Sequence, residues 1–167
     1  MPPMIRLRFR RHFDAAHQLP YHRGQCARLH GHRYTIEFVV DGEIQGVEAP
    51  GEAGTNPQAG MVKDFADLKR LVDALLPDHR TLNAFVNPAD AHQGRHHADY
   101  GSYWRATNGE DLGLENPTAE NLVVHLFHLC MPRFAEHGLL LVQLRLWETP
   151  DADVSYPASP DFAGDSD

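Results

Sequence analysis

Between His30 and Val40 every second side chain is of one kind. Tyr34, Ile36, Phe38 and Val40 fall on one parity, and Arg33, Thr35 and Glu37 fall on the other. Successive side chains of a strand point to opposite faces, so this run predicts a half-buried β-strand ending at the turn dipeptide Asp41-Gly42. His30 and His32 share the parity of the apolar residues. Two imidazoles on a buried face need partners for their ring nitrogens, because an unpaired buried polar group costs about 1–3 kcal/mol. A metal ion is one such partner and a backbone carbonyl is another.

A second alternation precedes it. Ile5, Leu7 and Phe9 alternate with Arg6, Arg8 and Arg10, which predicts a first strand leading into Phe13-Asp14-Ala15-Ala16-His17. Residues 18 to 29, with Pro20 and Gly24, read as a loop. The stretch from Gly46 to Gly60 is aperiodic and reads as a connection, with a weak strand candidate at Gly60 to Val62. Asp64 then caps a helix whose apolar residues Phe65, Leu68, Val72, Leu75 and Leu76 recur near the 3.6 period until Pro77. Asn116-Pro117-Thr118 opens a second helix with the stripe Leu122, Val123, Leu126, Leu129, Cys130 and Phe134, which stops at Gly138. A last strand runs from Leu140 to Trp147, with Val142, Leu144 and Leu146 on one face; Glu148 falls on that face by parity. Antiparallel strands with helices gathered on one side make an α+β domain. One domain is expected over residues 1–150, with an inserted loop at about 88–115 and an acidic, loosely ordered tail over 151–167.

Composition narrows the function. The net charge is −8 over 167 residues, which argues against a nucleic-acid binder held by a basic field. No apolar run approaches the ~20 residues that span a bilayer, and with two unrelated cysteines the chain reads as cytoplasmic. No Gly-rich phosphate loop is present.

The residues able to carry chemistry are few. His17 with His30 and His32 offers the three-nitrogen set that leaves a catalytic metal one open position, though a hydrogen-bonded core cluster fits the spacing equally. Cys26, four positions before His30, is a candidate base or nucleophile beside anything bound there, or else a buried inert thiol. Asp78-His79 is a candidate acid–base pair, or a helix cap. Glu148 on an apolar face awaits either an arginine or a flat heterocycle presenting two N–H groups.

Six stretches, taken in order, resemble one family. They are Phe13 to His17, Cys26 to His32, Gly60 to Phe65, Asp78 to Asn83, Glu115 to Asn121 and Glu148-Thr149. Together they look like the ordered motifs of the 6-pyruvoyltetrahydropterin synthase superfamily, and the short Cys-x-x-x-His-Gly-His spacing is similar to its bacterial 6-carboxytetrahydropterin-forming branch, that of queuosine biosynthesis. The resemblance implies a tunnelling fold: a four-stranded antiparallel sheet with two helices on one face, closed into a barrel by trimerisation and stacked into a hexamer. It implies Zn2+ on His17, His30 and His32, Cys26, Asp78 and His79 as catalytic residues, and Glu148 with Thr118 at a bound pterin. It further implies a pterin triphosphate as substrate and active sites formed between subunits; the charge and hydropathy above give the expectation of no nucleic-acid or membrane partner.

Overall fold

The computed structural model describes residues 2–46, 56–84 and 103–158. Both alternating runs are strands: β1 spans Met4–His17 and β2 spans His30–Glu43. They pair antiparallel along their whole length, from Met4 opposite Glu43 to His17 opposite His30. This register puts the two apolar parities on one face, where Phe9 stacks on Phe38 and Phe13 on Tyr34, each at 5.0 Å between ring centroids.

Helix α1, Phe65–Asp73, begins where Asp64 accepts a hydrogen bond from the Ala66 amide at 2.7 Å. Helix α2, Ala119–Ala135, begins where the Thr118 hydroxyl accepts from the Asn121 amide at 3.2 Å. Leu68 and Val72 of α1, and Leu122, Leu126, Cys130 and Phe134 of α2, bury themselves in one core with Tyr34, Ile36, Phe38, Leu144 and Leu146 of the sheet. Both helices therefore cover the same face, as expected for an α+β domain of this kind. The other face carries a ladder of ion pairs, Arg6–Asp41, Arg10–Glu37 and Arg33–Asp14.

Among the described residues the sheet has five strands where four were expected. Its order is β3-β1-β2-β4-β5, with β3 at Arg80–Thr81, β4 at Leu140–Thr149 and β5 at Ala152–Tyr156. All neighbours are antiparallel except the short β3, which runs parallel to β1. β5 lies in the stretch expected as a loose tail. The sheet holds it because Arg145 pairs with Asp153 at 2.5 and 2.8 Å and Tyr156 packs edge-on against Phe127 at 5.2 Å. Two smaller expectations also change. Gly60 to Val62 is a turn segment and not a strand; the Gln45 amide donates to the Met61 carbonyl there. A bulge between Val39 and Val40 brings Leu141 opposite Val40, so Leu141 is buried in place of Val142.

Of the expected insertion, residues 103–115 are described and the remainder, with His92, His96 and His97, lies outside the described residues. Trp104 is buried in the core and meets His125 edge-on at 5.3 Å. No described helix is long and apolar enough to cross a membrane.

Candidate metal and acid–base centre

The sheet register alone brings three histidines together. His17 ends β1 directly opposite His30, and His32 lies opposite Ala15 on the same face. Their rings form a near-regular triangle, with centroids 4.5, 5.1 and 4.9 Å apart and each pair steeply inclined. One nitrogen from each lies within 4.8 Å of the others.

Backbone carbonyls fix the proton positions. The Pro117 carbonyl, just before α2, lies 2.8 Å from His17 Nδ1, and the Arg28 carbonyl lies 2.7 Å from His30 Nδ1. A carbonyl oxygen only accepts, so each Nδ1 carries the hydrogen and each Nε2 keeps its lone pair. Those two Nε2 atoms face each other at 3.0 Å. Two lone pairs at that distance do not bond, and His17, fully buried, has its pKa pushed down by burial, which disfavours a proton between them. The third atom of the triangle, His32 Nε2, is buried with no hydrogen-bond partner; the Glu148 carboxylate is 3.6 Å away. Burial lowers the His32 pKa as well.

A divalent cation resolves all three conflicts. Two nitrogens at ~2.0–2.1 Å from a shared tetrahedral zinc are about 3.3 Å apart, close to the spacing of the His17–His30 pair. Neutral imidazoles oriented through Nδ1–H to a carbonyl are the ordinary form of zinc-binding histidine. The donor set thus fits a metal. Of the two readings left open by spacing, the purely hydrogen-bonded cluster leaves three nitrogens unsatisfied.

Tyr34, read from the sequence as core, adds a hydroxyl 3.3 Å from His17 Nδ1. Burial drives its pKa far above the usual phenol range, so it remains neutral. Cys26 sits on a short 3-10 turn, Gln25–Ala27, in the loop between β1 and β2, and its sulfur does not join the three clustered nitrogens. It is near enough to Tyr34 for a thiolate there to raise the phenol's pKa. Cys130 is the inert thiol: burial pushes its pKa up to about 12.

Asp78 and His79 come together elsewhere, with Asp14, on the open face of β1. The Asp14 amide donates to Asp78 Oδ1 at 2.9 Å, which holds that carboxyl below its usual pKa range, and His79 Nδ1 lies 3.1 Å from the same oxygen. The His79 amide donates to the Asp14 carbonyl, and His79 adopts a φ of 55°, a left-handed conformation uncommon outside glycine. The pair is exposed to solvent and not used as a helix cap, because α1 ends at Asp73.

Two cavities meet at the end of the sheet. One, of about 510 Å³, is lined by Asp14, Ala16, Leu29, Gly31, His32 and His79. The other, of about 580 Å³, is lined by Arg10, Gly31, His32, Trp147, Glu148 and Thr149. Both contain Gly31 and His32, so Glu148 opens onto the second cavity beside one histidine of the triad. Thr118, the other expected substrate residue, spends its hydroxyl on the α2 cap. Sequence reasoning missed Asp14, Tyr34 and the Arg28 and Pro117 carbonyls; only Asp14 and Tyr34 have side chains that could have signalled them, and both sat inside runs that strand periodicity already explained.

The chain is similar to several known proteins. A 6-carboxy-5,6,7,8-tetrahydropterin synthase of Rickettsia conorii is 28% identical over 153 residues, covering 90% of this chain and 99% of the relative. A dihydroneopterin monophosphate aldolase of Pyrococcus furiosus is 36% identical over 84 residues, covering 49% of this chain and 60% of that protein. The structure of Caenorhabditis elegans 6-pyruvoyl tetrahydropterin synthase superposes with a TM-score of 0.58 at 23% identity, covering 95% of this chain and 98% of that one, and supports the fold. The family profile described as 6-pyruvoyl tetrahydropterin synthase matches residues 6–159, and the chain belongs to that family.

Proposed function

We propose that the protein is a cytoplasmic, zinc-dependent 6-carboxy-5,6,7,8-tetrahydropterin synthase acting in 7-deazapurine (queuosine) formation. Its substrate is 7,8-dihydroneopterin triphosphate, which with water gives the carboxytetrahydropterin, acetaldehyde and triphosphate. The observation that carries this reading is the set of converging imidazoles, one of which, His32, brings its Nε2 within 3.6 Å of the Glu148 carboxylate.

His17, His30 and His32 would hold a zinc ion, which would supply Lewis acidity to the side-chain oxygens of the substrate and so raise the acidity of the adjacent C–H bond. Glu148 accepts two N–H groups from the pterin ring, a paired, charge-assisted contact that sets the ring's orientation. Thr118, at the start of α2, is the second pterin-binding residue in this reading. Cys26, as thiolate, removes the side-chain proton, and His79, oriented by Asp78, returns a proton to the carbon or oxygen that needs one. His79 lines one cavity together with His32 of the triad; in this reading the active site is shared between chains, with the histidine triad from one subunit and the acid–base pair from its neighbour, in a hexamer of two trimers. Residues 1–150 together with β5 form the catalytic unit in this reading, and the stretch at about 88–115 is an insertion whose Trp104 packs into the core.

The test is product analysis. Zinc-loaded protein incubated with 7,8-dihydroneopterin triphosphate is expected to release acetaldehyde and triphosphate in equal amounts. A pyruvoyl product without acetaldehyde would assign the chain to the pyruvoyl-forming branch. The relative named as an aldolase supports a second reading, cleavage that releases a phosphorylated two-carbon aldehyde instead, and the same assay separates it. Cys26→Ala is expected to lower turnover by about 10²–10⁴-fold with zinc retained.

A further inference from the structure

We infer that Asn83 is a positioning residue: its side-chain amide clamps the end of β1 and, through it, the loop that carries Cys26. Asn83 is buried, with 6% of its surface exposed. Its Oδ1 accepts from the Gln18 amide at 2.9 Å and its Nδ2 donates to the Gln18 carbonyl at 2.8 Å. Gln18 directly follows the ligand His17. One side chain therefore satisfies both backbone groups of that residue.

The reason a side chain does this work lies in the path of the chain. The Leu82 amide still pairs with the Ala16 carbonyl at 2.8 Å, continuing the β3–β1 ladder. At Asn83 the backbone turns away to bridge Leu114, with the Ala84 amide donating to the Leu114 carbonyl at 2.9 Å and the Leu114 amide to the Leu82 carbonyl at 2.8 Å. The turn is locked by close packing: a Cβ on Gly113 would lie 2.5 Å from the Asn83 carbonyl oxygen, so only glycine allows this approach. The Asn83 amide takes the place of the peptide that has left the ladder. It extends the pairing of β1 by one residue.

The effect passes to Cys26 in one further step. The Leu19 amide, next to Gln18, donates to the Cys26 carbonyl at 2.9 Å. Asn83, Gln18, Leu19 and Cys26 thus form a continuous chain of hydrogen-bonded or bonded neighbours. Few side chains can hold its first link. Leucine matches the shape but has no polar atoms, aspartate keeps the acceptor and loses the donor, and glutamine is longer by a methylene. The functional meaning rests on Cys26 as the proton-moving thiol; the clamp itself does not.

The experiment measures alkylation of Cys26 by iodoacetamide in the zinc-loaded protein, with mass spectrometry separating it from Cys130. Three variants are compared: Asn83→Leu, Asn83→Asp and the control Gln45→Leu. The control removes a side-chain bond to the Val62 carbonyl, 3.1 Å long, just past the far end of β2. Asn83→Leu is expected to speed Cys26 alkylation about tenfold and to shift its pH profile, since losing buried hydrogen bonds opens the loop by about that factor. Asn83→Asp, keeping one of the two bonds, is expected to fall between Asn83→Leu and wild type. Zinc retention against a chelator is expected to stay within about threefold of wild type, because the Pro117 carbonyl still holds His17. Gln45→Leu should lower the melting temperature without changing the thiol. Wild-type alkylation in both Asn83 variants, or an equal change in Gln45→Leu, overturns the inference; if Asn83→Leu does not fold, Asn83→Asp decides alone. If Cys26→Ala retains turnover, the role given to Cys26 fails while the alkylation result stands.

Discussion

Replacing His32 by leucine is expected to make the metal-free protein at least as stable as the metal-free wild type, while removing its response to zinc. In the metal-free chain His32 Nε2 is buried and unpartnered, and such an atom costs about 1–3 kcal/mol. Leucine fills a similar volume and brings no polar atom. Its cost is the loss of the His32–Glu148 approach at 3.6 Å, which is small because the carboxylate is 27% exposed and keeps its hydration. The balance favours the variant by up to about 1–3 kcal/mol, and each kcal/mol moves the melting temperature of a domain this size by about 2–4 °C. Zinc acts in the other direction. At free zinc 100 times the dissociation constant it adds about 2.7 kcal/mol to wild type, a rise of about 5–11 °C. Circular-dichroism melts in a chelator, then at stepped zinc concentrations, measure both quantities. A metal-free variant that melts many degrees below metal-free wild type, or a zinc response equal to that of wild type, would falsify the claim that this cluster is arranged for a cation rather than for stability.

Three further outcomes follow from individual contacts. Glu148→Gln is expected to weaken binding of a pterin by about 10–100-fold in calorimetry, the worth of a charge-assisted pair, while zinc affinity stays near wild type. Thr118→Ala removes the cap on the Asn121 amide and is expected to cost about 1 kcal/mol, seen as a melting temperature lower by about 2–4 °C. Asp78 has a folded-state pKa below its ordinary value, chiefly through the Asp14 amide. Its contribution is therefore complete above the ordinary carboxyl pKa and is lost as pH falls through the depressed one. Urea unfolding followed downward from pH 5 should show a shallower loss in Asp78→Asn than in wild type.

Period-two alternation carried most of the fold and the site. Once His30 and His32 share the parity of Tyr34, and His17 that of Phe13, antiparallel pairing leaves the three imidazoles no place except together. What the alternation could not show is made by backbone. The Arg28 and Pro117 carbonyls that fix the tautomers leave no mark in side-chain identity. The bulge at Val39/Val40 is hidden because Leu140, Leu141 and Val142 are all apolar, so either parity reads as a strand face. β5 did alternate, Ala152, Val154 and Tyr156 against Asp153 and Ser155, but it lies in an acidic stretch that read as tail; Arg145 on the neighbouring strand turns its one acidic residue, Asp153, into a cross-strand partner. The left-handed backbone at His79 was equally out of reach, being imposed by two hydrogen bonds from a strand distant in sequence.

Gly31, between the two histidines that β2 gives to the triad, tests how tightly the strand pairing sets the geometry of the cluster. It lies opposite Ala16 on the open face and lines both cavities. A Cβ at this position would come within 3.3 Å of the Ala15 carbonyl oxygen, tighter than ordinary van der Waals contact. The neighbour is backbone of the paired strand and cannot rotate away. β2 must therefore lift by a few tenths of an ångström at the residue joining His30 to His32. Core packing tolerates such a shift, because Tyr34, Ile36 and Phe38 are anchored further along the strand. A metal site does not, since Zn–N bonds hold to about 2.0–2.1 Å and a displaced ligand changes the angle at the ion. Gly31→Ala is thus expected to melt within a few degrees of wild type without metal, yet to bind zinc about 10–100-fold more weakly in competition with a chelator, the range found when the support of a metal ligand is disturbed. Wild-type zinc affinity in a folded Gly31→Ala protein would show that the ligands set their own geometry and that the strand register only brings them near.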